Sequence, residues 1–382
     1  MKIGILTRRA GFNHGSSLQA YAMSKLFTNT NNGYECKIID YDEYSGHPLW
    51  RIRPFIENIQ WFFLKHLSIG RRVKKYHYLS IRASQYAKFK EFEKEYFPLT
   101  SFKCSNDKDL RKAAKDFQVL VCGSDQIWSP LLFDPVYYFS FLEENDKYRT
   151  VAYAPSMGTS DSSMIKAEQA ELIKKIDCVS CREEDGSKII KGIINKKVPV
   201  VLDPTLMIQP SEWHKLADSV KTIESLPYIL CYFLGKNIPQ EYISTLSKLT
   251  GYKILNIQMF NRLNSLQSDR EITDIGPCEF LNLVKNAVWV CTDSFHATIF
   301  SYIFKRKMSV FERFKNTEKE NQNSRIYTLL NLLKIEWALT NSNDHPDLNK
   351  QDVYNFDYEA LECWQQQSLN YIRTSIYTNN YQ

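Results

Sequence analysis

The chain has 382 residues, which is enough for two domains that each bury a core. Its hydrophobic fraction of 43%, with 23 Tyr and 22 Phe but only 13 Gly and 13 Pro, excludes a disordered or fibrous protein. The formal net charge of +6 is local, because residues 51–82 carry eight basic side chains against one acidic side chain.

Short apolar runs alternate with helical patterns along the first 205 residues. Strands are predicted at residues 2–7, 36–42, 119–125, 149–155, 177–183 and 199–203. Helices are predicted at 17–27 and 82–95, where apolar side chains recur at helical spacing. Continuous apolar strands that alternate with helices are typical of a parallel sheet covered on both faces. The first half is therefore predicted to be Rossmann-like.

The same alternation starts again after residue 210. Strands are predicted at 228–235, 252–259, 287–293 and 307–313, and helices at 240–249, 278–286, from 294 and at 325–333. The predicted domains are 1–210, with a basic helical insertion at 51–82, and 211–350. A last helix at 357–377, within 351–382, is a candidate to brace the first domain. The predicted fold class is α/β, with two Rossmann-like domains that face a ligand-binding cleft.

The strongest motif, CTDSFHATIFSYIF at 291–304, lies where a predicted strand passes into a helix. Its first turn contains Ser294, His296 and Thr298, which can all reach an anion held by the helix N-terminus. A buried histidine that is satisfied by its neighbours explains the same spacing. The motif therefore leaves an anion site and a structural histidine as alternatives.

The motif SCREEDG, at 180–186, places Arg182 at the carboxyl end of a predicted strand. Its planar guanidinium suits a bidentate contact with a carboxylate or phosphate group in the cleft. A salt bridge to Glu183, Glu184 or Asp203 is the alternative. The sequence does not choose between the two.

A third motif, GSDQIWSP at 123–130, also follows a buried strand. Ser124 and Asp125 can bind a hydroxyl group, and Trp128 can stack on the face of a sugar. An ordinary turn from strand to helix explains these residues equally well.

The turn after the first strand contains Arg8, Asn13 and Ser17, together with Arg9 and His14. Two arginines and several hydrogen-bonding groups at a helix N-terminus suit an acidic or sugar ligand. The turn has no G-x-G-x-x-G and no phosphate-loop pattern, which disfavours a nicotinamide or ATP site.

No metal site is predicted. Cys178 and Cys181 form a single C-x-x-C without a second Cys or His pair, and Asp40 and Asp42 form one D-x-D, which is more often a capping feature. The nine cysteines are odd in number and lie mostly in apolar runs, as reduced core residues do.

With no run of about 18 apolar residues and no secretory leader, a cytoplasmic protein is expected.

Seven motifs, taken in order over residues 1–330, resemble the polysaccharide pyruvyl transferase family. They are SSLQAYAM, VCGSDQIW, YAPSMG, SCREEDG, VVLDPTLM, TDSFHATIFSYIF and SRIYTLL. The resemblance implies a GT-B-like fold and an enzyme that moves a pyruvyl group from phosphoenolpyruvate onto hydroxyls of a cell-surface saccharide. It implies no cofactor and no metal. One departure is Ala297, where the family commonly has Gly after the histidine.

The resemblance also assigns roles to residues. It implies that Arg182 and His296 hold or activate phosphoenolpyruvate, with His296 as the acid that protonates the methylene carbon. Asp125, or an acid such as Asp203, would accept the proton of the sugar hydroxyl. The donor is expected to contact Arg182, Ser294, His296, Thr298, Arg313 and Arg325, although a surface ion pair is the alternative for at least one of the last two. The acceptor is expected near Arg8, Asn13, Ser17, Ser124, Asp125 and Trp128.

The basic segment 51–82 interleaves cations with apolar side chains, which suits a helix on an anionic membrane and a lipid-linked saccharide acceptor. The protein would then be peripheral on the inner face of the membrane. A packed interdomain or dimer helix is the alternative, so a homodimer stays open. The competing functions are a GT-B glycosyltransferase that uses a sugar nucleotide and a non-catalytic protein that binds a membrane or nucleic acid; no nucleic-acid partner is expected.

Overall fold

A computed structural model describes the chain at residues 1–9, 11, 13–28, 34–43, 69–258, 265–315, 318, 321–348 and 358–377. Within 69–82 only the helical backbone is described. Apart from that backbone, the segment 51–82, which carries the membrane prediction, lies outside the described residues.

Five parallel strands form the first sheet, in the order β2-β1-β3-β4-β5. They are β1 (Lys2–Leu6), β2 (Glu35–Ile38), β3 (Val119–Cys122), β4 (Arg149–Ala152) and β5 (Cys178–Val179). The central strand β3 is wholly buried because helices cover both faces of the sheet, as its continuous apolar sequence predicts. The strand order reverses between β1 and β3, which leaves a crevice at their carboxyl ends.

The helices of the first half are α1 (His14–Thr28), α2 (Ile69–Tyr96), α3 (Asp107–Ala114), α4 (Ala167–Lys174) and α5 (Glu184–Ile194). Helix α1 follows β1 and is buried over almost its whole length, with Leu18, Ala22 and Leu26 in the main apolar core. Its N-terminus therefore lies at the carboxyl end of β1, beside the crevice.

The second sheet also has five parallel strands, in the order β10-β9-β6-β7-β8. They are β6 (Tyr228–Tyr232), β7 (Lys253–Ile257), β8 (Arg270–Ile272), β9 (Trp289–Thr292) and β10 (Lys307–Val310). The helices are α6 (Pro210–Asp218), α7 (Gln240–Thr250), α8 (Pro277–Asn286), α9 (Phe295–Ile303), α10 (Ser324–Leu332) and α11 (Tyr358–Tyr377). The two-sheet α/β fold predicted from the sequence is confirmed.

Two predicted strands are shorter in the structure. The strand predicted at 177–183 is only two residues long, and the one at 199–203 is reduced to a bridge between Val200 and Cys181. Arg182 and Asp203, which follow the two bridged segments, form an ion pair with each other. Strand β8 is absent from the prediction because two of its three residues are exposed and charged.

The two halves share one apolar core, in which α1 of the first half packs against α8 and α9 of the second. Helix α11 returns to the first sheet. Tyr371 Oη donates to the carbonyl of Ala152 at 2.9 Å, and Arg149 Nε donates to the carbonyl of Ser375 at 2.9 Å. Among the helices that the structure describes, none is long and apolar enough to cross a membrane.

Candidate active site

Arg182 lies at the centre of a buried group of charges between the halves. Its Nη1 donates to Asp203 Oδ2 at 2.6 Å, and its Nη2 lies 3.5 Å from Asp125 Oδ1. The guanidinium also lies over the ring of Phe295, 4.2 Å from the centroid, and Phe295 belongs to the second half. With its side chain only 2% exposed, Arg182 is fixed by two carboxylates and an aromatic ring.

The acids next to Arg182 in sequence are not its partners. Glu183 Oε1 accepts hydrogen bonds from the hydroxyl of Ser156 and from the backbone N–H groups of Met157 and Gly158. Glu183 therefore holds the loop after β4. Of the three acids that the sequence offers to Arg182, the fold selects Asp203.

His296 reaches the same carboxylate from the second half. It lies in the first turn of α9, and its Nε2 is 3.6 Å from Asp203 Oδ2, which is an ion-pair contact longer than a hydrogen bond. Asp203 Oδ1 accepts from the N–H and the hydroxyl of Thr205, at 3.0 and 2.7 Å. The carboxylate of Asp203 thus joins a guanidinium of one half to an imidazole of the other.

The environment keeps Asp203 ionised. Burial by itself raises the pKa of the carboxyl group, but the neighbouring His296 and Arg182 and the Thr205 hydrogen bonds lower that pKa well below its ordinary value. Asp203 is therefore a carboxylate that faces both the guanidinium and the imidazole.

Asp125 lies in the turn after β3. Gly123 has φ +134, and a Cβ at this position would overlap the carbonyl oxygen of Tyr153, so the turn requires glycine. Ser16 Oγ donates to Asp125 Oδ2 at 2.6 Å. Burial raises the pKa of Asp125, but Arg182 above all, then His296 and the Ser16 hydrogen bond, lower it to about 2. Asp125 is therefore a carboxylate at neutral pH.

Two more arginines approach from the second half. Arg313 Nη2 donates to the carbonyl of Asp293 at 3.0 Å, and its Nε lies 3.7 Å from Asp293 Oδ1. Arg325 is buried and donates to the carbonyl and the side-chain amide oxygen of Gln322, at 3.2 and 3.1 Å. Burial, followed by repulsion from Arg313 and Arg182, lowers the pKa of Arg325 to about 9. A buried guanidinium whose hydrogen-bond partners are neutral would be stabilised by a bound anion.

The hydroxyl groups of α9 are used within the helix. Ser294 is the N-cap, and its Oγ accepts from Ala297 N–H at 3.4 Å. Thr298 Oγ1 donates back to the carbonyl of Ser294 at 3.0 Å and is fully buried. The expectation that Thr298 reaches the ligand is corrected, since its donor is held by the helix backbone.

The residues expected on the acceptor side are only partly brought together. Trp128 is fully buried, with its ring stacked on Tyr138 at 5.1 Å and its Nε1 donating to the carbonyl of Tyr137 at 3.2 Å. The expectation that Trp128 stacks on a sugar is therefore corrected. Ser124 is also fully buried; its hydroxyl donates to the carbonyl of Ala154 at 2.9 Å and lies 3.4 Å from Asp203 Oδ2, so it borders the buried charges of the site.

The turn before α1 remains beside the site. Arg8 Nε lies 3.4 Å from Glu43 Oε2, and Asn13 is exposed, with its side-chain oxygen accepting from Ser16 N–H at 3.2 Å. Ser17 is buried in the first turn of the helix. Arg9 forms ion pairs with Asp40 and Glu93 and belongs to the fold, not to the crevice.

Sequence reasoning passed over two residues of this site, Gly15 and Ser16. They lie between His14 and Ser17, and the signal that points to them is their position in the first turn of a helix after a parallel strand. No group of three or more His, Cys, Asp or Glu side chains that could hold a metal ion is found among the described residues.

A sequence profile of the polysaccharide pyruvyl transferase family matches residues 13–316, which is well over half of the chain. The chain belongs to this family. The resemblance drawn from the seven motifs is thereby confirmed. The family match contains Asp125, Arg182 and His296, whereas Arg8 and Arg325 lie outside it. No curated protein gives a significant match.

Several solved structures are similar to this chain in fold. UDP-GlcNAc 2-epimerase from Neisseria meningitidis, bound to UDP-GlcNAc, is similar with a TM-score of 0.50 at 10% identity, over 97% of this chain and 99% of that chain. The enzyme from Rickettsia bellii gives 0.49 at 9% identity, over 100% and 98%. AviGT4, a glycosyltransferase involved in avilamycin A biosynthesis, gives 0.47 at 9% identity, over 99% of each chain. The two parallel sheets and the likeness to the Neisseria enzyme confirm the predicted fold class.

Proposed function

We propose that this protein takes the pyruvyl group from phosphoenolpyruvate and places it as a ketal on two hydroxyls of a saccharide, with release of phosphate. The observation that carries the proposal is that Arg182 of the first half and His296 of the second half both contact the buried carboxylate of Asp203. Arg325 is near enough to Arg182 for the two cations to repel each other, and its hydrogen bonds go to a neutral residue. A small anion would relieve that repulsion.

Phosphoenolpyruvate fits this requirement because it carries a phosphate and a carboxylate on one three-carbon skeleton. Arg325 and Arg313 would hold the anion from the second half, together with the N-terminus of α9. Arg182 would add positive charge from the first half while it keeps its pairing to Asp203. The phosphate would then leave from a place where positive charge is fixed before the reaction starts.

The first chemical step in this proposal is the transfer of a proton from His296 to the methylene carbon of phosphoenolpyruvate. The carbon–carbon double bond becomes a methyl group, and C2 becomes electrophilic. Asp203, with its oxygen 3.6 Å from Nε2, would orient the imidazole for this transfer. Its low pKa means that Asp203 stays charged and does not itself take that proton at neutral pH.

The first sugar hydroxyl then attacks C2. The C2–O bond to phosphate breaks, and a second hydroxyl closes the ketal. Of the two protons that leave the hydroxyls, one restores His296 and the other leaves with phosphate. We assign to Asp125 the orientation of the attacking hydroxyl, because a carboxylate with a pKa of about 2 accepts a hydrogen bond well but is a weak general base.

The acceptor in this proposal is a lipid-linked saccharide in cell-surface polysaccharide synthesis. Support comes from the family match and from the eight basic residues of 51–82, which suit contact with an anionic membrane. Such contact would place the enzyme on the cytoplasmic face, where a lipid carrier presents its sugar.

The test is phosphate release from phosphoenolpyruvate, measured with a panel of lipid-linked and nitrophenyl saccharides. His296→Ala is expected to lower kcat by at least about 100-fold, because general acid catalysis contributes about that factor or more. The matched control is His214→Ala, an exposed histidine against Phe304, which should keep its turnover. Undiminished turnover in His296→Ala would remove this residue from the mechanism. Thermal stabilisation by UDP-sugars, with no response to phosphoenolpyruvate, would favour a glycosyltransferase instead.

A further inference from the structure

Gly15 lies directly against the imidazole of His296. Gly15 is the second residue of α1, in the first half of the molecule, and His296 belongs to the second half. A Cβ built on Gly15 would lie 2.6 Å from Cγ of His296 and 2.9 Å from its Cβ, and closer still to Nδ1. Real Cβ atoms do not approach other atoms so closely, so the ring keeps its present place only while residue 15 has no side chain.

The next residue of α1, Ser16, contacts the group that the proposed mechanism assigns to the acceptor hydroxyl. Ser16 Oγ donates to Asp125 Oδ2 at 2.6 Å, and both groups are buried. The other carboxylate oxygen of Asp125, Oδ1, faces Arg182, whose Nη2 is 3.5 Å away. Two consecutive residues of one helical turn therefore touch the two groups assigned to proton transfer and to the acceptor hydroxyl.

The turn itself is held firmly between the halves. His14, immediately before Gly15, stacks on Phe280 at 5.0 Å and lies 5.1 Å from the ring of Phe89. Its Nε2 is 3.3 Å from the carbonyl of Ile275 in the second half. A turn that is anchored on both sides has a defined position relative to both sheets, which a mobile loop would not have.

We propose that the first turn of α1 is a positioning element for pyruvyl transfer, in which Gly15 sets the place of the His296 imidazole and Ser16 orients the Asp125 carboxylate. The inference rests on the proposed function, in which these two groups act on donor and acceptor. Neither Gly15 nor Ser16 needs to touch a substrate. Gly15 acts because the absence of a side chain makes room for the imidazole of His296. Ser16 acts through its hydrogen bond to one oxygen of Asp125.

A double-mutant cycle tests the contact without any assay of turnover. Gly15→Ala should lower the Tm of the apoprotein, because its methyl group displaces the ring of His296. In a His296→Ala background the ring is gone and only the contact with the Cβ of residue 296, at 2.9 Å, remains, so the same substitution should cause a clearly smaller loss of Tm. Gly192→Ala is the matched control, since Gly192 lies in α5 with no atom within 4 Å of its added Cβ. Equal losses of Tm in both backgrounds would overturn the contact.

Kinetics of folded protein tests the positioning. Gly15→Ala should lower kcat by at least about tenfold, because a displacement of about 1 Å at a reacting group can cost about 100-fold. The KM for phosphoenolpyruvate should change by less than about threefold, since Arg182 and Arg325 are untouched. Ser16→Ala should lower kcat for saccharide transfer, whereas Ser24→Ala, which removes a hydroxyl bonded to the carbonyl of Tyr21 in the same helix, should not.

The outcomes separate this inference from the proposed function. Phosphate release by the natural protein, with full kcat in Gly15→Ala, would refute the positioning role and leave the function standing. If the protein released no phosphate from phosphoenolpyruvate, the proposed function would be refuted. A larger loss of Tm for Gly15→Ala in the natural protein than in His296→Ala would then show only that Gly15 packs against His296. Further loss of residual turnover when Gly15→Ala is added to His296→Ala would also count against positioning, because it would show an effect that does not act through the imidazole.

Discussion

The guanidinium of Arg325 is buried, and its hydrogen bonds go to the neutral oxygens of Gln322. Gln322 also accepts from Gln126 of the first half at 2.7 Å, so this polar contact crosses between the halves. Keeping an unpaired charge out of water costs stability unless a partner of opposite charge arrives. The residue therefore has an energetic cost in the free protein that a bound anion would offset.

Replacement of Arg325 by Met should separate stability from binding. We expect the unfolding free energy to stay unchanged or to rise by about 1–2 kcal/mol, because a buried, repelled charge is removed. The KM for phosphoenolpyruvate should rise at least about tenfold, because a hydrogen bond to a charged group is worth about 1.5–3 kcal/mol. Chemical denaturation and steady-state kinetics measure the two effects.

The matched control for that experiment is Arg306→Met. Arg306 is half-buried, and it donates to the carbonyls of Phe304 and Ala287, away from the proposed donor site. Its removal should leave KM unchanged. An equal rise of KM in both variants would mean that Arg325 acts only through general electrostatics or folding.

At the scale of single elements, α1 is one of the helices that join the halves. His14 in its first turn is fully buried between Phe89 and Phe280, and burial lowers the pKa of this histidine to about 4. In the unfolded chain the pKa is near its ordinary 6.5. Between those two values the unfolded chain binds more protons than the folded one, so the unfolding free energy falls as the pH falls.

The packing of α1 should therefore be sensitive to acid. From pH 6.5 to pH 4, His14 should remove about 3 kcal/mol of unfolding free energy. In His14→Phe, which keeps an aromatic ring between the same neighbours, this part of the pH dependence should disappear, although the contact with the carbonyl of Ile275 is lost. Denaturant unfolding at a series of pH values measures it. His345→Phe, at an exposed histidine, serves as control. If His14→Phe kept the same dependence of unfolding free energy on pH as the natural protein, His14 would not be its source.

Strand endings show where element prediction succeeds and fails. The apolar runs of β3, β6 and β9 are buried strands, because such runs stay stable only between two helical layers. The segments around Arg182 and Asp203 have the same strand-like sequence, yet they leave the sheet after one or two residues. Local pattern does not show the pairing that follows, since the ion pair joins residues from different segments.

At the scale of the whole molecule, positive charge is concentrated in one segment of sequence. Residues 51–82 hold a charge excess larger than the net charge of the entire chain, so the remainder is close to neutral. A protein that is close to neutral outside one basic segment would bind an anionic surface through that segment, and therefore in a defined orientation.

Membrane association should depend on the cations of this segment. Replacing Arg71, Arg72, Lys74 and Lys75 by Gln should lower binding to vesicles with anionic lipid by at least about tenfold, since each basic residue contributes roughly 1 kcal/mol. Co-sedimentation at two salt concentrations measures this. The control replaces Lys108, Lys115, Lys147 and Lys191, which are exposed elsewhere. Unchanged sedimentation in the first variant would exclude the membrane role of the segment.

The sequence by itself determined the two parallel sheets, the family and the motif residues Arg182 and His296, because continuous apolar strands and ordered motifs are local features of the chain. Only the tertiary structure decided which acid pairs with Arg182, that Trp128 lies in the core, that the hydroxyl of Thr298 bonds its own helix, and that Gly15 touches His296. These facts depend on how α1 and α9 meet across the two halves. Such contacts join residues that are far apart in sequence, and no local pattern specifies the distance between them.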